Sequence, residues 1–218
     1  MRSALIVGAT GLVGRHCLSQ LLADPDYSQV HVISRRVVAH EDAKLNVVIS
    51  DFSDLQQVSS TQPTIFNVDD VFCCLGTTLK AAGSREAFEQ VDYGYVRALA
   101  AQAAKHQARQ FLLISAVGAS PRALAFYSRV KGRTESAVSQ MNFSALHIFR
   151  PSLLIGDRDE HRPGEALAQN TMPFIDPLLL GPLSRYRSVS GEQVARAMLR
   201  QAKLDLTGQH IHYPSDPV

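Results

Sequence analysis

"SALIVGATGLVGRHCLSQLLA", residues 3–23, decides the fold. "SALIVG" (3–8) is a short apolar run stopped by glycine, the pattern of a buried strand. From Leu12 to Ala23 the spacing becomes helical, with Val13, Cys17 and Leu21 in line and Leu18 and Leu22 beside them. Between the two, Gly8, Gly11 and Gly14 fall in the pattern G-x-x-G-x-x-G. A glycine at the first position permits a tight turn. The second lets the backbone approach a pyrophosphate, and the third lets the helix pack close to the strand. The free N–H groups and dipole at the helix start then favour an anion. Loose glycine motifs are weak. The strand before and helix after this one make it a dinucleotide-binding turn, with Thr10, Leu12 and Val13 joining the glycines in the expected contact set.

Downstream, strands and helices alternate. "QVHVISR" (29–35), "KLNVVIS" (44–50), "DDVFCCLG" (69–76), "RQFLLIS" (109–115) and "SALHIFRP" (144–151) read as strands. Residues 84–106 read as one long helix capped by Ser84, with an apolar face of Phe88, Val91, Tyr95 and Leu99. Residues 124–141 form another helix that tolerates Gly132, and Ser53 is a possible N-cap of a short helix. Near-continuous Val, Ile and Leu strands signal a parallel sheet covered on both faces. The expected fold is therefore an α/β, doubly wound Rossmann-type parallel sheet, one domain over 1–218. After Pro151 the composition shifts. "GDRDEHRPGEALAQNT" (156–171) is polar, the prolines of 172–190 argue against a long helix, 190–204 is a helix capped by Ser190, and "QHIHYP" (209–214) is a last strand. Residues 152–218 are too few for an independent domain of normal size and are expected to form a small substrate cap.

The second strand selects the cofactor. NAD binders place an acid about 20 residues past the glycines, on the ribose 2′-hydroxyl. Here the region reads Ser34, Arg35 and Arg36. Arginine offers a planar fork for a 2′-phosphate, so NADP is expected over NAD. Asp51 is placed to accept from the adenine amino group or to cap the next helix.

"AFYSRVKGRTE" (125–135) carries Tyr127 and Lys131 at i and i+4, on one helix face. A phenol with pKa near 10 is a poor acid–base catalyst at neutral pH, and a nearby ammonium lowers it. Ser115, ending the preceding strand, could hold a substrate oxygen while Tyr127 moves its proton.

These pieces, "GATGLVG", "SRR", Asp51, "CLGTT", "SAVGA", "YSRVK" and "FRPSLLIG", together resemble the short-chain dehydrogenase/reductase superfamily. "CCLGTT", "YSRVKG" and "LLLGPLSRYRSVSGEQVARAM" make the chain most similar to its atypical branch. The resemblance implies a Ser115–Tyr127–Lys131 site, Lys131 on the nicotinamide ribose, Leu75, Gly76 and Thr77 lining the cofactor, and Arg150 closing the sixth strand beside it. It implies an oxidoreductase exchanging hydride between NADP(H) and a small carbonyl or alcohol. The alternative is a non-catalytic NADPH-binding regulator with a protein partner. A second serine common in the superfamily is replaced by Ala116, and the chain is short for sugar-nucleotide epimerases.

A formal net charge of +2 argues against nucleic acid or a membrane surface as partner. No apolar stretch suits a bilayer span, and the N-terminal run reads as a strand and not a signal peptide. Three cysteines, Cys17 and the adjacent Cys73 and Cys74, fit a reduced cytoplasmic setting and core or lining roles. His210 and His212 share a strand face with no third ligand apparent, so no metal is expected. The apolar faces of 84–106 and 124–141 fit either a homodimer bundle or burial within one chain.

Overall fold

The computed structural model describes residues 1–156 and 181–215. Seven strands form one sheet in the order β3-β2-β1-β4-β5-β6-β9. They are β1 (Arg2–Val7), β2 (Tyr27–Ser34), β3 (Leu45–Ile49), β4 (Asp70–Cys73), β5 (Gln110–Ile114), β6 (Ala145–Phe149) and β9 (Gly208–His212). Every neighbouring pair is parallel. The chain winds outward from β1 to β3, returns to β4 beside β1, then winds the other way. That reversal opens a crevice at the C-terminal ends of β1 and β4.

Alternation along β1 divides the core. Leu5 and Val7 face one cluster with Phe66, Val96, Leu99 and Phe111. Ala4 and Ile6 face the other, where α1 (Leu12–Ala23) packs with α7 (Gly191–Ala202). Cys17, Leu18 and Leu21 meet Val194, Met198 and Ala202 there. Ser190 and Gln193 close a capping box at the start of α7, so the helix read at 190–204 is present. It packs against α1 in the layer beside the sheet. Much of the cap expected over 152–218, including most of the polar 156–171 stretch, lies outside the described residues. The described remainder adds a two-residue strand pair that periodicity could not reveal: β7 (Leu154–Ile155) beside β8 (Val189–Ser190).

Two local expectations change. Asp54, not Ser53, caps α2 (Leu55–Thr61), its side chain accepting from Gln57 N–H. The helix expected over 84–106 is α4 (Arg85–Glu89), a π-helical turn (Gln90–Tyr95) and α5 (Val96–Lys105), with Ser84 as N-cap. A short α3 (Leu79–Ala82) precedes it.

At the far end of the sheet, buried Asp70 ties four elements together. It accepts from Tyr27 Oη at 2.6 Å, Gln110 Nε2 at 2.6 Å and Arg109 at 3.0 Å, with Arg2 at 3.5 Å. At the β6–β9 edge, His147 meets His212, Nδ1 to Nε2, at 3.0 Å, and stacks on His210. So His210 and His212 do share a face, and a third imidazole joins them. His147 and His212 bond each other, His210 Nε2 meets the Thr207 carbonyl at 2.8 Å, and among the described residues no group of three His, Cys, Asp or Glu could hold a metal ion.

Burial first, then the neighbouring imidazoles, pushes His147 and His212 down to about 4. The unfolded chain therefore takes up protons near pH 6.5 that the native state refuses until about pH 4. Stability from these groups is present above pH 6.5 and is lost as pH falls towards 4. A series of urea melts across that window should show a falling midpoint, and His147→Gln should flatten the slope.

Candidate functional site

The site grows from the turn after β1. Gly8 sits at φ +84°, where side chains are strained, and an added Cβ would lie 2.5 Å from Cys74 O. A Cβ on Gly14 would enter the Gly8 carbonyl. Gly11 is the N-cap of α1, with no side-chain cap bond and no acid in the first turn. Exposed Thr10 and Gly11 thus border helix N–H groups aimed at the crevice. The Val13 and Leu75 side chains are buried in the two cores, so these residues offer only backbone. Leu12 packs beneath Gly156 and Gly191.

At the end of β2, buried Ser34 accepts from Arg36 N–H at 3.1 Å and leaves Arg35 and Arg36 exposed. Exposed Asp51 follows β3 and accepts from Ser53 Oγ at 2.6 Å and Ser53 N at 2.8 Å. These bonds, the side-chain one foremost, hold its carboxyl below the usual range.

Ser115 directly follows β5. It is buried, and its Oγ has no hydrogen-bond partner among the described residues. A buried orphan hydroxyl in a native fold calls for a ligand or water. Tyr127 and Lys131 lie on α6 (Phe126–Ser139). Tyr127 is 37% exposed with its ring against Phe88, whereas Lys131 is buried with Nζ 3.4 Å from the carbonyl of Ile114, the residue before Ser115. Gly132 lets α6 pack closely on the loop before it, because an added Cβ would strike the backbone of Ser120 and Pro121. α6 thus brings Lys131 to the end of β5, while Tyr127 lies against Phe88.

One residue escaped the sequence reading. Asp92, fully buried on the π-helical turn, lies 2.7 Å from Lys131 Nζ. Its Oδ2 accepts from Thr77 N at 2.8 Å. Burial by itself would lower the Lys131 pKa, but the Asp92 carboxylate, with Tyr127 next, holds it well above its ordinary value. The available signal was an acid on the otherwise apolar stripe of Phe88, Val96 and Leu99. Gly76 is exposed above this pair, where a Cβ would stand 3.5 Å from both charged groups.

Arg150 directly follows the sixth strand, β6, as expected. Its guanidinium forks onto Glu135 at 3.0 and 2.6 Å and reaches Tyr213 Oη at 3.4 Å. It braces α6 against β6 and the tail. The Cys73 thiol is pushed up to about 12 by burial. A hydrogen bond to the Cys17 thiol, then burial, raises Cys74 well above the ordinary range, so neither cysteine suits nucleophilic work.

The glycine cradle, uncapped helix start and switch-point crevice define a Rossmann-type dinucleotide-binding protein. The sequence matches the NAD(P)H-binding family over residues 8–204, and the chain belongs to that family. It is 35% identical to Protein HTATIP2 of Rattus norvegicus over 95% of this chain and 84% of that protein. It is also 35% identical to "Protein fmp52, mitochondrial" of Aspergillus niger, over 96% of this chain and 90% of the relative. Among solved structures, MoeE5 in complex with UDP-glucose and NAD superposes with a TM-score of 0.72 at 15% identity, covering 96% of this chain and 74% of that one. The Bordetella bronchiseptica enzyme WbmH in complex with NAD+ gives 0.71 at 16%, covering 97% and 75%. At that identity these structures speak for the Rossmann-type fold alone.

Packing and ligand approach should separate at two glycines. Gly14→Ala should cost about 3 kcal/mol in chemical denaturation by overpacking. Gly11→Ala, at φ −81° with only Gly8 O at 3.3 Å, should leave the melt nearly unchanged yet weaken dinucleotide binding measured by fluorescence titration.

Proposed function

We propose that this protein is an NADP(H)-dependent oxidoreductase acting on a small carbonyl or alcohol through Ser115, Tyr127 and Lys131. The observation that carries this reading is the orphan Ser115 hydroxyl buried beside the Lys131–Ile114 contact, at the mouth of a dinucleotide cradle. When bound, the nicotinamide supplies or accepts hydride. Gly8, Gly11 and the first turn of α1 would hold its pyrophosphate, and Gly76 and Thr77 would border it. Ser115 would orient the substrate oxygen, and Tyr127 would exchange the proton at that oxygen. Lys131 would bind the nicotinamide ribose. Arg150, held by Glu135 at the end of β6, would close that strand beside the cofactor.

NADP is favoured over NAD because β2 ends in two exposed arginines with no acid. The preferred setting is a reducing one, in keeping with three free cysteines. The cytosol meets that condition, and so does the mitochondrial interior suggested by the fungal relatives' name. No helix among the described residues is long and apolar enough to cross a membrane.

NADPH oxidation should be followed across a panel of aldehydes, ketones and quinones. Wild type should turn over at least one, and Tyr127→Phe should lose turnover by about 100-fold or more while binding NADPH almost as before. Firm binding with no turnover in either protein would favour the regulator instead. Replacing both arginines, Arg35→Ala with Arg36→Ala, should weaken NADPH binding by roughly 10- to 100-fold and leave NADH binding nearly unchanged. Equal losses for both nucleotides would count against the 2′-phosphate role.

A further inference from the structure

Lys131 does not face the crevice as a free cation. Asp92 Oδ1 stands 2.7 Å from its Nζ, and both groups are buried. Asp92 is itself held at two further points, by Thr77 N–H on Oδ2 and by the Thr134 hydroxyl on its main-chain carbonyl, each at 2.8 Å. The carboxylate is thus fixed from β4's exit loop and from α6 together. Few other titratable groups compete. Cys73, from β4, is a thiol kept neutral by burial. On α6, Arg133 pairs with Glu89 at 2.7 Å, and Arg129 is turned onto the carbonyls of Ala123 and Leu124. Arg85, from α4, lies over the Phe126 ring. Ser115 and Gly76 bring no charge.

A lone ammonium 4–6 Å from an acid lowers its pKa by about 1–3 units. An ammonium bonded to a carboxylate presents a near-neutral pair, whose field on a phenol one helical turn away is far weaker. We propose that Asp92 is a positioning residue that neutralises Lys131, keeps Tyr127 a proton donor, and so sets the site for carbonyl reduction over alcohol oxidation. This rests on the oxidoreductase reading above. In the step it favours, the Tyr127 O–H bond breaks as an O–H bond forms on the substrate carbonyl oxygen. The reduced nicotinamide, held by the glycine turn and Lys131, would supply the hydride for the carbonyl carbon and be oxidised in turn. Water then returns a proton to the phenolate, to which it has access at 37% exposure of Tyr127.

The test needs no substrate. Protein labelled with ¹³C at tyrosine Cζ is titrated by NMR without nucleotide, and the Tyr127 signal is assigned by its loss in Tyr127→Phe. Asp92→Asn should lower the Tyr127 midpoint by about one unit or more. The double variant Asp92→Asn with Lys131→Met removes both charges and should return to within about half a unit of wild type. An unchanged midpoint in Asp92→Asn would overturn the proposal. So would a rise of about one unit or more in the double variant, since it would mean Lys131 acts on Tyr127 unneutralised. If Asp92→Asn fails to fold around its unpaired cation, wild type against the double variant decides alone. NADPH affinity is measured on the same wild-type sample. Its absence would sink the oxidoreductase reading and leave the Tyr127 result standing on its own.

Discussion

Backbone meets backbone at the end of β1 with no side chain between, and the molecule is arranged around that seam. Gly8 abuts the Cys74 carbonyl, Gly14 abuts Gly8, and Gly191 at the start of α7 abuts the Leu12 carbonyl. Only glycine permits these approaches. They draw α1 down onto the strand, aim its first turn into the crevice, and seat α7 along α1. One steric constraint therefore fixes both the anion cradle and the layer that buries the described C-terminal helix.

The two ends of the sheet are built for different ends. Opposite the crevice, the Asp70 carboxylate is fully engaged by Tyr27, Arg109 and Gln110. Such a network holds the strands in register. At the crevice, Ser115 keeps an unanswered hydroxyl and Lys131 is held by Asp92 instead of solvent. Buried charge appears at both ends. It is placed beside an exposed phenol at only one of them.

Much of this was legible in sequence because its causes are local. The glycine spacing, the apolar strands, and the caps Ser84 and Ser190 each act within a few residues. The Tyr127–Lys131 face followed from helical geometry. What was illegible depends on contacts distant in sequence. Phe88, Val91, Tyr95 and Leu99 fit an unbroken helix, and the extra residue shows only when Asp92 and Val96 are seen buried. Nothing local in the sequence pairs Arg150 with Glu135 and Tyr213, which folding brings to it. His147 joined His210 and His212 only because β6 lies beside β9.

The π-helical turn makes the length of a segment as important as its letters. A π turn is an α-helix carrying one surplus residue. Removing any single residue between Gln90 and Tyr95 would let the helix run on as plain α, with hardly any change in composition. The wide turn absorbs that surplus residue, so the helix faces on either side would keep their directions and only the turn itself would narrow. Leu99 and Ala103 would stay in the core, but the bulge that carries Asp92 to Lys131 would be gone. The charge balance of the crevice is thus written partly as a count, and relatives that keep both residues but differ by one position here would own a different site.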